Sequence, residues 1–422
     1  MKRYLFLIIV FFMFSTKTSA EELVTVKLKN YIGDPTELHV TLKGKYRTLD
    51  PAFTLKEGMT YTFSTKSGTL WIHGKEEKYR INGSLILIPE RYDQEHQIYI
   101  NNHPYLGAME FLVEGQDVIR PVNQLPLEDY LKGVVPFEVY PTWSIETLKA
   151  QALAARTYAV SQMHKDMDDT IQYQVYGGYS WFENTTKAVE ETQGEVITYE
   201  GKLIDAFYSA SNGGYTENNA HVWGGKPISC FPIKKDPYDP VNPWEFRLNR
   251  TQISPEEIEL EDPKWWEGAV EQDKEIAQTI KKWLKRHGYP GDSKIVTIPQ
   301  FEVSDEQLES KRSVKGSITI EFLYQPIGGT VLYEQVELEN EDLNRIRPMI
   351  GGNLFKSYFI DTLESNGSEY IMRGRGYGHG VGMSQWGASV MGKSGKTYQE
   401  IIDFYFPGTK ITQIEKVKSL PG

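Results

Sequence analysis

The stretch GRGYGHGVGMSQWG, residues 374–387, contains six glycines in fourteen residues. Glycine loses more backbone freedom on folding than any other residue, so ordering this stretch is costly and must be offset by a close approach of its backbone to something else. We predict an extended segment in which Arg375, Tyr377, His379 and Val381 line one face and the glycines leave the other face bare. Two interpretations stay open: the bare face lies against a ligand, or it lets a neighbouring helix dock closely.

The stretch matches neither of two familiar glycine motifs. It has no G-x-G-x-x-G spacing and no helix is expected directly after it, so it does not fit a dinucleotide site. It also lacks the Gly-Lys-Ser/Thr ending of a phosphate-binding loop. Nucleotide binding through this stretch is therefore not expected.

The first twenty residues have the composition of a secretory signal peptide. Lys2 and Arg3 precede an apolar run from Tyr4 to Phe14, and a polar stretch ends at Ala20. The run is shorter than the roughly 20 residues that span a bilayer, so we predict a cleaved signal peptide over residues 1–20, with an uncleaved anchor as the alternative. The protein is then extracytoplasmic and meets a membrane only through this segment, if it is uncleaved.

Charge and cysteine content exclude some classes of protein. The net charge is −11, which disfavours nucleic acid as a partner. The only cysteine is Cys230, so no internal disulfide can form and stability must come from packing.

Periodicity predicts an α+β chain with several parts. Short alternating segments such as VTVKLK and ELHVTL predict a β-rich N-terminal accessory domain over residues 21–120. A mixed α/β core follows, and a change in composition suggests that a subdomain is inserted into it. The predicted parts after the N-terminal domain are the first part of the core, 121–235, the inserted subdomain, 236–350, and the second part of the core, 351–422.

The clearest predicted helix runs from Ile145 to about His164, with Ser144 as its N-cap and an alanine-rich apolar face. Other helices are expected over residues 125–135, 270–287 and 397–406, and two strands over 195–199 and 203–209. Pro136 and Pro141 are expected to bracket a non-helical link before the alanine-rich helix.

Glu138 lies in this link with apolar residues on both sides, from Val134 to Phe137 and from Val139 to Pro141. Because an apolar environment penalises the charged form, we expect a raised pKa, suited to a general acid. The alternative is a loop glutamate that points to solvent. Lys149 and Arg156, seven residues apart, share a helix face and either meet a ligand or form a solvated basic stripe.

Two long motifs carry a family resemblance. The chain resembles the SpoIID/LytB family of sporulation stage II proteins D and amidase enhancers in two segments. These are PFEVYPTWSIETLKAQALAARTYAV and, further on, GRGYGHGVGMSQWGASVMGKSGKTYQEIIDFYFPGTKI. The piece YSASNGGYTENNAHVWGG between them is similar as well. The resemblance covers roughly residues 120–225 and 345–412, and the β-rich N-terminus fits an accessory domain of some members.

The resemblance implies a lytic transglycosylase of peptidoglycan, which cleaves the MurNAc–GlcNAc bond and leaves a 1,6-anhydro-MurNAc end. Glu138 occupies the place of the family's catalytic glutamate. Lys149, Gln151 and Arg156 match the family's KAQALAAR motif, and the second motif supplies His379 and Gln385. These five residues are expected to bind substrate.

The resemblance also leaves alternatives. The protein could be a non-catalytic enhancer that binds peptidoglycan and stimulates a cell-wall amidase, and a metal-dependent hydrolase using His221, His379 and an acid is a weaker third candidate. Some family members hold zinc through a histidine and two cysteines, whereas this chain offers His221 and Cys230 alone, so we expect neither a metal nor a cofactor. The expected partners are glycan strands and an amidase, in or around a Gram-positive cell wall.

Overall fold

The computed structural model describes residues 22–49 and 54–417, which belong to two compact units. The first unit contains residues up to 137 together with 162–181, and the second contains 138–161 and everything from 182 onwards. The predicted signal peptide lies outside the described residues. Among the helices that are described, none is long and apolar enough to cross a membrane.

The first unit consists of antiparallel strands and two short helices. Its elements are β1 (Leu23–Lys27), β2 (Glu37–Lys43), β3 (Tyr46–Thr48), β4 (Thr60–Lys66), β5 (Thr69–His73), β6 (Lys78–Ile81), β7 (Leu85–Pro89), β8 (Gln97–Ile100), β9 (His103–Tyr105), β10 (Ala108–Glu114), β11 (Val118–Pro126), α1 (Leu127–Lys132) and α2 (Val135–Glu138), the last of which ends at the boundary between the units.

These strands form two sheets that pack face to face. One has the order β1-β11-β10-β7-β3 and the other β6-β5-β4-β2-β8-β9. Alternate residues of β2, β4 and β10 are buried, and Phe63 of one sheet meets Phe111 of the other with ring centroids 4.8 Å apart. The strands predicted here are therefore confirmed, while the domain boundary at residue 120 stays a prediction.

The second unit mixes helices with small sheets. Its elements are α3 (Ile145–Gln162), α4 (Glu183–Glu191), β12 (Glu195–Tyr199), β13 (Lys202–Leu203), β14 (Tyr208–Ser209), α5 (Asn219–Trp223), β15 (Pro243–Asn249), α6 (Pro263–Gly268), α7 (Lys274–Arg286), β16 (Asp292–Val303), β17 (Lys315–Gln325), β18 (Leu332–Asp342), α8 (Leu343–Ile350), β19 (Ile360–Ser365), β20 (Glu369–Arg375), β21 (Met383–Ser384), α9 (Gln385–Lys393), α10 (Tyr398–Tyr405) and β22 (Lys410–Gln413). Together with the first unit this confirms the α+β class.

The second unit has two hydrophobic cores. The first core packs α3, α9 and α10 against the short strands around β12 and β21, and Ala150, Ala154 and Ala388 allow close contact there. The second core is formed by β15–β20 with α7 and α8, and its buried residues run from Trp244 to Met372. The predicted inserted subdomain, 236–350, supplies most of the second core, but its boundaries stay a prediction.

Some element predictions were wrong. The link before α3 is partly helical, because Pro136 stands in the first turn of α2, where a missing N–H costs no helical hydrogen bond. The helix predicted over 125–135 is interrupted, since β11 runs to Pro126 and α1 ends at Lys132. The strand predicted over 203–209 consists only of β13 and β14.

The glycine stretch is not an extended ribbon. Its glycines at 376, 378, 380 and 382 have positive φ angles of 71° to 106°, so side chains do not alternate between two faces. The backbone lies instead against residues 207–217: Tyr377 N donates to Ser211 O at 2.8 Å and Glu217 N donates to Gly380 O at 2.9 Å. The glycines therefore allow two backbone segments to dock, and a helix, α9, does follow them.

Candidate functional site

The N-terminus of α3 is fixed by a cap and by α9. Thr147 N donates to Ser144 Oγ at 3.3 Å, which confirms the predicted N-cap. Thr147 Oγ1 donates to the backbone carbonyl of Ala388 in α9 at 3.1 Å. A side chain at Gly392 would clash with Ser144 and Thr147, so this glycine lets α9 lie directly on the first turn of α3.

This docking brings Glu138 and Gln385 together. Glu138 ends α2 and is half-buried, and Gln385 begins α9 and is buried. Gln385 Nε2 donates to Glu138 Oε2 at 3.4 Å across 247 positions of sequence. The two motifs that carried the family resemblance therefore meet at a carboxylate and an amide.

Three aromatic rings from the same two segments pack on one another. Tyr140 follows Glu138 by two residues, Trp386 directly follows Gln385, and Trp143 lies two residues before the start of α3. Ring centroids are 5.2 Å apart for Trp143 and Trp386, 5.6 Å for Tyr140 and Trp143, and 6.0 Å for Tyr140 and Trp386. We call Tyr140, Trp143 and Trp386 the aromatic cluster. The sequence prediction missed it, although its members flank both site residues.

Lys149 is held by carboxylates. Its Nζ lies 2.6 Å from Glu191 Oε2 and 3.5 Å from Glu146 Oε1. The hydrogen bond with Glu191 is the main cause of a raised pKa for Lys149. The ammonium therefore ties α3 to the end of α4.

Arg156 is fully buried and also contacts the end of α4. Its Nη2 donates to Val189 O at 2.9 Å and its Nη1 donates to Thr192 Oγ1 at 3.2 Å. The guanidinium therefore adds a donor to a backbone carbonyl in the last turn of α4. Lys149 and Arg156 do share a helix face, as predicted, but that face meets α4.

Gln151 is buried with an unpaired amide. Its side chain is 1% exposed, and within residues 22–49 and 54–417 neither Oε1 nor Nε2 has a hydrogen-bond partner. Burying such a group unpaired costs about 1–3 kcal/mol. Among the described residues, Gln151 therefore makes no side-chain hydrogen bond to Glu138 or Gln385.

His379 lies among aromatic rings. Its ring centroid is 5.0 Å from that of Trp223 and 6.1 Å from that of Phe207. Val381 N donates to Nδ1 at 3.0 Å, and the other side of the ring bonds the backbone of Tyr208. Burial, and then the positive charge of Arg312, lower the pKa of His379 to about 4, so the ring is neutral at neutral pH.

The residues present do not fit a zinc site. Cys230 is fully buried in the first core, where burial raises the pKa of its thiol to about 11. His221 Nδ1 lies 2.8 Å from Glu217 Oε1. No cluster of three or more His, Cys, Asp or Glu suited to a metal occurs in the described part of the chain.

Comparison with known proteins gives three findings. The family model for the Stage II sporulation protein SpoIID matches residues 115–199. The amidase enhancer of Bacillus subtilis (strain 168) is 37% identical over 387 residues, 91% of this chain and 54% of that protein. The Stage II sporulation protein D of the same organism is 29% identical over 317 residues, 70% of this chain and 76% of that protein.

The chain belongs to the SpoIID/LytB family. It spans about half the length of the amidase enhancer that it matches. The SpoIID model match includes Glu138 and the three α3 residues Lys149, Gln151 and Arg156, whereas His379 and Gln385 lie outside it. Of these SpoIID/LytB residues, the structure joins Glu138 with Gln385 by a hydrogen bond, and the substrate-binding roles of the others stay predictions.

Proposed function

We propose that this protein is a lytic transglycosylase that remodels peptidoglycan, with Glu138 as its acid and base. The contact between Glu138 and Gln385 carries the proposal, because it brings one carboxylate and one amide from two distant motifs to one place. Ordinary glycosidases use two carboxylates, whereas a reaction in which the sugar supplies its own nucleophile can use one.

The reaction is balanced with a single carboxyl group. Protonated Glu138 gives its proton to the glycosidic oxygen as the bond between C1 of MurNAc and O4 of GlcNAc breaks. The C6 hydroxyl of the same MurNAc attacks C1 and loses its proton to the Glu138 carboxylate. The products are a GlcNAc 4-hydroxyl end and a 1,6-anhydro-MurNAc end, and the acid is regenerated without consuming water.

The other predicted residues take supporting parts in this proposal. Gln385 orients the carboxylate, whereas Lys149 and Arg156 hold α3 against α4 and so fix the helix that follows Glu138. His379 is neutral at neutral pH, so it supplies no charge to the sugar.

The same proposal places the protein outside the cytoplasm, secreted or attached to the wall of a Gram-positive cell. Its partners are then peptidoglycan strands, with a cell-wall amidase as a further partner suggested by the name of the amidase enhancer relative. No metal or cofactor takes part in the proposed reaction.

The proposal is tested by the Glu138→Gln variant, which keeps the shape of the side chain and removes the acid. Purified peptidoglycan, with and without stem peptides, is incubated with wild type and variant, and released glycan is measured. Loss of general acid–base catalysis should reduce release at least about 100-fold. Glu183→Gln, an exposed glutamate on α4, is the matched control and should match wild type. Equal release by wild type and Glu138→Gln contradicts the proposal.

A second candidate is the non-catalytic enhancer. It is favoured by the 37% identity to a protein named for enhancing an amidase. This candidate predicts that wild type and Glu138→Gln both bind peptidoglycan, release no glycan, and stimulate a purified amidase equally.

A further inference from the structure

The aromatic cluster is exposed and preformed. Tyr140 has 60% of its surface exposed, and both tryptophans are partly exposed. Trp143 N donates to Tyr140 O at 3.0 Å, which closes a turn with Pro141 at the second position, where proline sets the backbone angle that such a turn needs. Asn184 Nδ2 donates to Pro141 O at 3.2 Å and ties the turn to α4.

The three rings do not form a flat surface. Each pair is inclined by 56° to 60°, so no two rings lie flat in one plane. The Glu138 carboxylate and the Gln385 amide, which contact each other, come from residues two positions before Tyr140 and one before Trp386. An apolar surface with a few polar groups at its edge is the usual composition of a small-molecule site.

We propose that the aromatic cluster binds a pyranose ring of an N-acetylhexosamine strand, next to the sugar whose bond is held at Glu138. A pyranose has apolar C–H faces and a rim of hydroxyl and acetamido groups, so its face can lie on an aromatic ring while its rim meets a carboxylate and an amide. This inference rests on the proposed function, since it names a subsite of the same site.

Other occupants fit the surface less well. A nucleic acid also stacks bases on aromatic rings, but it needs a positive groove, whereas this chain has a net charge of −11 and carries the carboxylate of Glu138 two residues before Tyr140. A protein partner would cover the cluster and with it the approach to the carboxylate. A sugar uses the rings and the carboxylate together.

The turn lowers the cost of binding. Because Pro141 and the Asn184 contact hold the turn, Tyr140 and Trp143 lose little freedom when a sugar binds. The cluster should therefore favour strands long enough to reach from Glu138 onto the rings, and affinity should rise with oligomer length.

The test uses the full chain carrying Glu138→Gln, so that no probe is consumed. N-acetylglucosamine oligomers from dimer to hexamer are titrated while tryptophan fluorescence is followed. Adding Tyr140→Ala should weaken hexamer binding about 3- to 10-fold, the effect of losing one aromatic contact. Tyr140→Phe keeps the ring and should bind as tightly as the parent.

Tyr333→Ala is the matched control, because Tyr333 is 58% exposed and lies on β18, a different sheet of the same unit. It should leave affinity unchanged. Three results would overturn the inference. The Tyr140→Ala and Tyr333→Ala proteins could bind with equal affinity, or the parent could fail to bind. Tyr140→Ala could also affect only the capture of a purified amidase.

Failure of this inference and failure of the proposed function are distinguishable. If wild type releases glycan and Tyr140→Ala changes neither binding nor release, the subsite is contradicted and the transglycosylase proposal stands. If Tyr140→Ala binds more weakly but wild type releases no glycan, the subsite is supported and the transglycosylase proposal is contradicted.

Discussion

At the scale of single residues, the surroundings of His379 keep its ring neutral at neutral pH. Both sides of its ring bond backbone groups, from Val381 and Tyr208, and link the glycine stretch to the segment that contains β14. The sequence predicted His379 as a substrate-binding residue, and that role stays a prediction. Its surroundings keep it neutral and fixed in one orientation.

The lowered pKa of His379 predicts a pH-dependent stability. The folded ring has a pKa of about 4, against about 6.5 when unfolded, so between these values the unfolded chain binds more protons. Stability should be unaffected by this group above pH of about 6.5 and should fall as the pH drops towards about 4, by at most about 1.4 kcal/mol per pH unit.

The measurement is the free energy of unfolding by urea at several pH values. His379→Gln should show a shallower loss between neutral and acidic pH than wild type. His287→Gln, at an exposed histidine, is the control and should keep the wild-type slope. Parallel slopes for wild type and His379→Gln would contradict the assigned environment of the ring.

At the scale of elements, the glycine stretch acts by backbone docking. Gly382 has φ of 71° and its Cα faces the backbone carbonyl of Phe207 so closely that a Cβ would clash with it. Met383 N donates to the same carbonyl at 3.0 Å, next to the pairing of β14 with β21. The stretch thus sets where α9, and with it Gln385, begins.

Gly382→Ala should therefore cost more than backbone strain alone. Gly367 has φ of 92°, and a Cβ added there would meet nothing within 4 Å. Gly367→Ala therefore measures backbone strain without a clash, and we expect it to lower the free energy of unfolding by about 1–2 kcal/mol. Gly382→Ala should lose at least about 2 kcal/mol more, because the carbonyl cannot move without breaking the strand pairing. Denaturant unfolding measures both, and equal losses would show that the close approach is unimportant.

Sequence predicted some elements well and others badly, for physical reasons. Helix α3 was placed within two residues, because its cap and its alanine spacing are local signals. Its burial was underestimated: Gln151, Arg156 and Thr157 are buried too, since neighbours cover nearly every side. Helix α9 was missed because Gly387 and Gly392 lower helix propensity, and only contacts with Tyr405 and α3 explain them.

At the scale of the whole molecule, the candidate site is a product of tertiary structure. Glu138 and Gln385 were both identified from motifs, but their contact across 247 positions has no local signal. The same holds for the aromatic cluster, whose third ring comes from α9. The predicted domain boundaries and the raised pKa expected for the acid stay predictions.

In the proposed reaction the sugar's own C6 hydroxyl, and not water, completes the step at Glu138. The most direct measurement is mass spectrometry of the glycan ends released by wild type in water labelled with heavy oxygen. We expect ends that lack one water relative to a hydrolysis product and carry no heavy oxygen. Reducing ends labelled with heavy oxygen would contradict it, as would the absence of any released glycan.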